Sequence, residues 1–99
     1  MDNTYQIYLI SDSTGETLDR IFLAIKAQFK NINYKVHSYS FTRTENQILK
    51  ILSDAEKHTK SIILYTIVDN ELARYLAKNS EDKEIPCFGI LGDLILSFS

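Results

Sequence analysis

Short runs of β-branched and aromatic residues alternate along this chain with stretches whose apolar residues recur at helical spacing, which leaves few architectures open. Tyr5 to Ile10 is apolar and strand-favouring, and it is closed by Ser11-Asp12-Ser13-Thr14-Gly15, as a buried strand running into a loop would be. Leu18, Ile21, Phe22, Ile25 and Phe29 then fall at i, i+3, i+4, i+7 and i+11, predicting one apolar face of a helix from Thr14 to Lys30. Tyr34 to Phe41 predicts a strand with only one face strongly buried, suited to a sheet edge. Helical spacing returns in Ile48, Leu49, Ile51, Leu52 and Ala55. The continuous apolar run from Ser61 to Ile67 suits a central strand. A helix from Asn70 to Lys78 follows, then a short strand from Ile85 to Phe88 with Pro86 near its start. Leu91, Leu94, Ile95 and Phe98 sketch the opening of a fourth helix.

Strands alternating with helices imply a doubly wound α/β fold: a four-stranded parallel sheet of order 2-1-3-4, helices on both faces, Rossmann/flavodoxin-like. Ninety-nine residues make one domain, 1–99, able to bury roughly two-thirds of its unfolded surface without metal or disulfide support. Cys87 is the single cysteine, so no intrachain disulfide forms and a reducing, cytoplasmic setting is expected. No apolar run approaches the ~18 residues of a membrane span, and the first residues lack the basic start of a signal peptide. Eleven Lys and Arg against thirteen Asp and Glu, scattered along the chain, give no basic stripe for nucleic acid. Leu94 to Ser99 ends without a cap, glycine or basic last turn, so the fourth helix reads as truncated. A shortened fourth helix beside an open sheet edge is expected to leave an apolar patch that favours self-association.

In sheets of this kind ligands bind beyond the carboxyl ends of the strands, at the switch point between the first and third strands. The loop that falls there is residues 11 to 17, and its composition supports more than one role. Ser13 as N-cap with Glu16 three residues on would complete a capping box, with no ligand required. Hydroxyls beside free N–H groups at a helix start would also make an anion site, drawing on Ser13, Thr14, Gly15 and Thr17. The stretch Asp12 to Thr17 resembles the Thr/Ser-x-Thr-Gly-x-Thr phosphate loop of flavodoxins, which implies, as an alternative, a phosphate- or FMN-binding module without catalysis. Asp12 stands where that pattern has a hydroxyl, and Glu16 adds a second negative charge.

A wider resemblance takes in three ordered motifs: Ile10-Ser11-Asp12-Ser13-Thr14-Gly15-Glu16-Thr17, Phe41-Thr42-Arg43-Thr44-Glu45-Asn46-Gln47 and Thr66-Ile67-Val68-Asp69-Asn70-Glu71-Leu72. Together they resemble the N-terminal half of the bacterial regulatory proteins of pyruvate, phosphate dikinase and phosphoenolpyruvate synthase, the kinase-pyrophosphorylase family. The resemblance runs from Tyr5 to Phe98. It implies a bifunctional phosphotransferase that phosphorylates a threonine of a dikinase-type target with ADP as donor and removes that phosphate with inorganic phosphate, releasing pyrophosphate. ADP or ATP, phosphate and magnesium are the cofactors it implies. The family's P-loop, of the type Gly-x-x-x-x-Gly-Lys-Thr/Ser, belongs to its C-terminal half. Here Gly15, Gly89 and Gly92 have no Lys-Ser/Thr at that spacing, so this chain is expected to be inactive alone.

Asp12 and Arg43 are the catalytic candidates. Asp12 would hold a metal or orient a hydroxyl, and Arg43 would pair with phosphate bidentately. Each strand-end residue also has a structural reading: Arg43 as a solvated residue beside a Thr42–Glu45 capping box, and Asp69 as N-cap of the third helix. Where the family is expected to have Arg after Leu72, this chain has Ala73, so no role passes to Arg74. His37 and His58 have no Cys, His or Asp at ligand spacing, no metal site is expected, and Cys87 reads as a small buried apolar residue.

Overall fold

The computed structural model describes residues 4–28 and 31–90. The elements, in chain order, are β1 (Tyr5–Ser11), α1 (Glu16–Lys26), β2 (Tyr34–Tyr39), α2 (Glu45–Ala55), β3 (Ser61–Thr66), α3 (Asn70–Asp82) and β4 (Cys87–Gly89). All pairings are parallel and the sheet order is β2-β1-β3-β4, as the alternation of apolar runs implies. Ile7 lies opposite Val36 on one side and Ile62 on the other, and Leu64 lies opposite Phe88.

Because side chains alternate along a strand, the two sheet faces collect different residues. Ile7, Leu9 and Leu64 meet Leu18 and Phe22 of α1 on one face. Tyr8, Ile10 and Ile63 meet Ile48, Ile51, Leu52 and Ala55 of α2 and Leu76 of α3 on the other. β1 and β3 are interior and almost wholly buried, whereas β2 is an edge strand with no fully buried residue. At the foot of β3 the Ser61 hydroxyl donates to the Ala55 carbonyl at 2.7 Å, adding a second bond to a carbonyl at the end of α2 that also accepts the His58 N–H. No described helix is long and apolar enough to cross a membrane.

Several sequence-based boundaries move. α1 begins at Glu16, with Gly15 as N-cap and no side-chain cap, so the Ser13–Glu16 capping box is absent. The cause is the end of β1: the Ser11 hydroxyl accepts the Ser13 N–H at 3.1 Å and turns the chain early. Gly15 then enters the helix at φ 86, a conformation few other residues adopt cheaply. The second capping box is also displaced. Thr42 is buried with its N–H on the Ser11 carbonyl, and Thr44 caps α2 with Gln47 as reciprocal partner. Leu49, assigned by spacing to the apolar face of α2, is 40% exposed. α3 runs to Asp82, and β4 starts at Cys87, after Pro86 has given its carbonyl to the Ile63 N–H. Cys87 is half-buried rather than fully buried, and burial pushes its thiol up to about 11. Phe29 and the expected fourth helix lie outside the described residues.

Candidate functional site

Three chain segments meet beyond the carboxyl ends of β1, β2 and β3, and main-chain hydrogen bonds tie them together. After β2 the chain crosses the loop that follows β1: the Phe41 N–H donates to the Ser13 carbonyl at 2.9 Å and the Thr42 N–H to the Ser11 carbonyl at 2.8 Å. The Arg43 Nε–H adds a third tie, donating to the Asp12 carbonyl at 3.1 Å. On the β3 side, Asp12 Oδ2 accepts the Val68 N–H at 2.8 Å. Gln47 closes the turn before α2, because its Oε1 accepts from the Arg43 and Thr44 N–H groups while its Nε2 donates to the Phe41 carbonyl.

Asp12, Arg43, Asp69 and Leu72 line an open cavity of about 430 Å³ above these ties. Asp69 is the N-cap of α3, its Oδ1 accepting the Glu71 and Leu72 N–H groups at 2.9 and 3.1 Å. The rim therefore carries two carboxylates and one guanidinium. Among the described residues the terminal Nη groups of Arg43 have no hydrogen-bond partner, so four donors in a planar fork remain for a ligand.

The hydroxyl residues of the 11–17 loop sit elsewhere. Thr14 and Gly15 border a recess of about 60 Å³ with Ser11, Asp19, Ser38 and Ser40, on the α1 side of the sheet. Ser13 is exposed, with its hydroxyl 3.3 Å from that of Ser11, and Thr17 is exposed on the first turn of α1. Glu16 and Asp19 are both in that turn, so two negative charges offset the positive end of the helix there. The structure thus brings Asp12 and Arg43 to one cavity, adds Asp69 to them, and leaves Ser13, Thr14, Gly15 and Thr17 outside it.

A second polar cluster lies between β1, β2 and α2 and escaped the reading of the sequence. The Tyr8 hydroxyl donates to Asp54 Oδ2 at 2.7 Å, and the Tyr8 ring stacks on His37 at 4.6 Å between centroids. His37 Nε2 lies 2.6 Å from Gln6 Oε1, with the His58 ring 6.5 Å beyond. The Tyr8 bond holds the Asp54 carboxyl below its usual range, burial lowers the His37 imidazole, and burial with the nearby Asp54 charge raises the Tyr8 hydroxyl. No signal in the sequence joins residues 8 and 54 except their positions on an inward strand face and a facing helix. A hollow of about 470 Å³ at the opposite, amino end of the strands is lined by Glu56, His58, Lys60 and Lys83. Its Lys83–Glu56 ion pair, 2.8 Å long, is exposed. Among the described residues no three His, Cys, Asp or Glu side chains gather to hold a metal ion.

A doubly wound sheet with a charged cavity over its strand ends places the chain among α/β domains of the kind that take ligands beyond the carboxyl ends of their strands. Comparison with known proteins narrows the class. The kinase/pyrophosphorylase family profile matches residues 7–99, and the chain belongs to that family. It is 69% identical over its whole length to a Pelagibacter ubique protein named as a pyruvate, phosphate dikinase regulatory protein, covering 36% of that protein. Proteins of the same name from Geotalea uraniireducens and Geotalea daltonii are 38% and 39% identical over 95% and 91% of the chain, which covers 35% and 33% of their lengths. The chain thus spans about a third of the length of the curated relatives it matches.

Proposed function

We propose that this chain is the α/β portion of a protein that regulates pyruvate, phosphate dikinase by reversible phosphorylation of a target threonine. The observation that carries this is the 69% identity over all 99 residues to a protein named for that regulation. In the forward direction the threonine hydroxyl would attack the β-phosphorus of ADP, forming a phosphoester and releasing AMP. In a separate, opposing reaction inorganic phosphate would attack the phosphorus of the phosphothreonine, breaking its bond to the threonine oxygen, restoring the hydroxyl and releasing pyrophosphate.

Both reactions need groups that hold a phosphoryl group in line and offset its charge. Arg43 would supply a bidentate fork, and Asp12 would orient the threonine hydroxyl or an attacking phosphate. Ser13, Thr14, Gly15 and Thr17 would offer hydroxyl and backbone donors along the neighbouring loop. A magnesium ion that arrives with a nucleotide commonly takes only one or two protein carboxylates, and Asp12 and Asp69 would offer it the oxygens not already accepting backbone N–H groups. Its chemistry would be to neutralise phosphate charge. The sequence holds no Gly-x-x-x-x-Gly-Lys-Ser/Thr, so the main phosphate grip for transfer would come from outside these residues.

Incubating the chain with pyruvate, phosphate dikinase, with and without ADP, tests this reading. The expected result is a stable complex with the dikinase and no threonine phosphorylation by the chain alone. Absence of any complex, with the dikinase in either phosphorylation state, would overturn it.

A further inference from the structure

Phe41 occupies a position that an aromatic residue seldom keeps. Its backbone is left-handed, at φ 53, where a bulky side chain is strained, and the residue is 50% exposed. An asparagine or glycine would take this turn more easily, and a half-exposed residue gains only part of the usual benefit of burial. The turn itself is fixed without the ring, by the Phe41 and Thr42 N–H bonds to the β1 loop and by Gln47. What the ring does is carry the Arg43 guanidinium, which lies 5.3 Å from its centroid while the Nε–H reaches the Asp12 carbonyl. One side chain is thus held at two points, with its terminal donors left open to the cavity shared with Asp12 and Asp69.

We infer that Phe41 is a positioning residue that holds Arg43 in place to receive a phosphate group at the strand-end cavity. This rests on the reading of that cavity as a phosphate site. The stack and the Asp12 carbonyl restrain a long side chain that would otherwise lose its freedom on binding, so the fork meets a phosphate already oriented. Orthophosphate, a nucleoside diphosphate and a phosphothreonine side chain share this chemistry, and the test separates them.

Phe41→Asn accepts the left-handed backbone and removes the ring, whereas Phe41→Tyr keeps it. In the full chain, ¹⁵N relaxation of the Arg43 Nε–H reports whether the guanidinium is held, and exchange protection of the amides at 41 and 42 reports whether the turn persists. Titrations with orthophosphate, ADP and a phosphothreonine peptide report affinity. Expected for Phe41→Asn are a protected turn, a mobile Arg43 and binding weakened about threefold to tenfold, with Phe41→Tyr matching the parent protein. Whichever of the three ligands shows the loss identifies the source of the phosphate. An Arg43 equally ordered without the ring would overturn the positioning role while leaving the phosphate reading intact. A freed Arg43 with unchanged affinity would overturn it too, and failure of the parent protein to bind any of the three would bring down both.

Discussion

Replacing Tyr8 with phenylalanine deletes one hydroxyl from a fully buried ring and leaves the aromatic packing in place. The hydroxyl lies 2.7 Å from Asp54 Oδ2, and a hydrogen bond to a charged group contributes roughly 1.5–3 kcal/mol when both partners are buried. Asp54 is only half-buried, so water takes over part of the bond in the variant and the expected loss at pH 7 is about 1 kcal/mol. In a domain of this size that lowers Tm by about 4–8 °C. The pH dependence supplies a stricter check. The Tyr8 bond holds the Asp54 carboxyl below its ordinary value in the folded protein. A carboxyl depressed on folding contributes fully above its unfolded pKa of about 3.9, and the contribution disappears as pH falls through the lower folded value. Urea denaturation of both proteins in steps from pH 7 to pH 3 should show a stability difference that is constant down to about pH 5 and shrinks progressively below it. A difference unchanged down to pH 3 would refute the charged-bond account and leave only local repacking.

Asp69→Ala removes the acceptor for two N–H groups at the start of α3 and should cost about 1 kcal/mol, read from the urea midpoint. Gly15→Ala puts a side chain at φ 86 and should destabilise by about 1 kcal/mol. A Cβ there would have only Ser11 Cβ as a neighbour, at 3.8 Å, so the loss measures backbone conformation rather than crowding, and Gly15→Asn should recover part of it.

The sheet was legible in the sequence because each strand announces its place through burial. The unbroken apolar run in β3 requires cover on both faces, and the alternation in β2 fits an edge. Asp69 was legible as a cap because the pattern is local, but its approach to Asp12 and Arg43 depends on how three loops end and could not be read from spacing. The capping boxes went astray for a related reason. Ser13 and Thr42 are plausible caps by type, yet Ser11, the last residue of a neighbouring strand, takes the Ser13 N–H on its hydroxyl and the Thr42 N–H on its carbonyl. Tyr8 shows the same limit. Its ring serves the apolar pattern of β1, while its hydroxyl answers to a carboxylate 46 residues away. Phe41 counted as one more strand residue, and only its dihedral angle and exposure set it apart.

Isothermal titration of the chain with orthophosphate, pyrophosphate and ADP, with and without magnesium, is the most direct test of the strand-end cavity as a phosphate site, with Asp12→Ala and Arg43→Ala as controls. Binding that is lost in Arg43→Ala and weakened in Asp12→Ala, while both variants stay folded, is the predicted result. Binding indifferent to both substitutions, or no binding of any of the three, would contradict it.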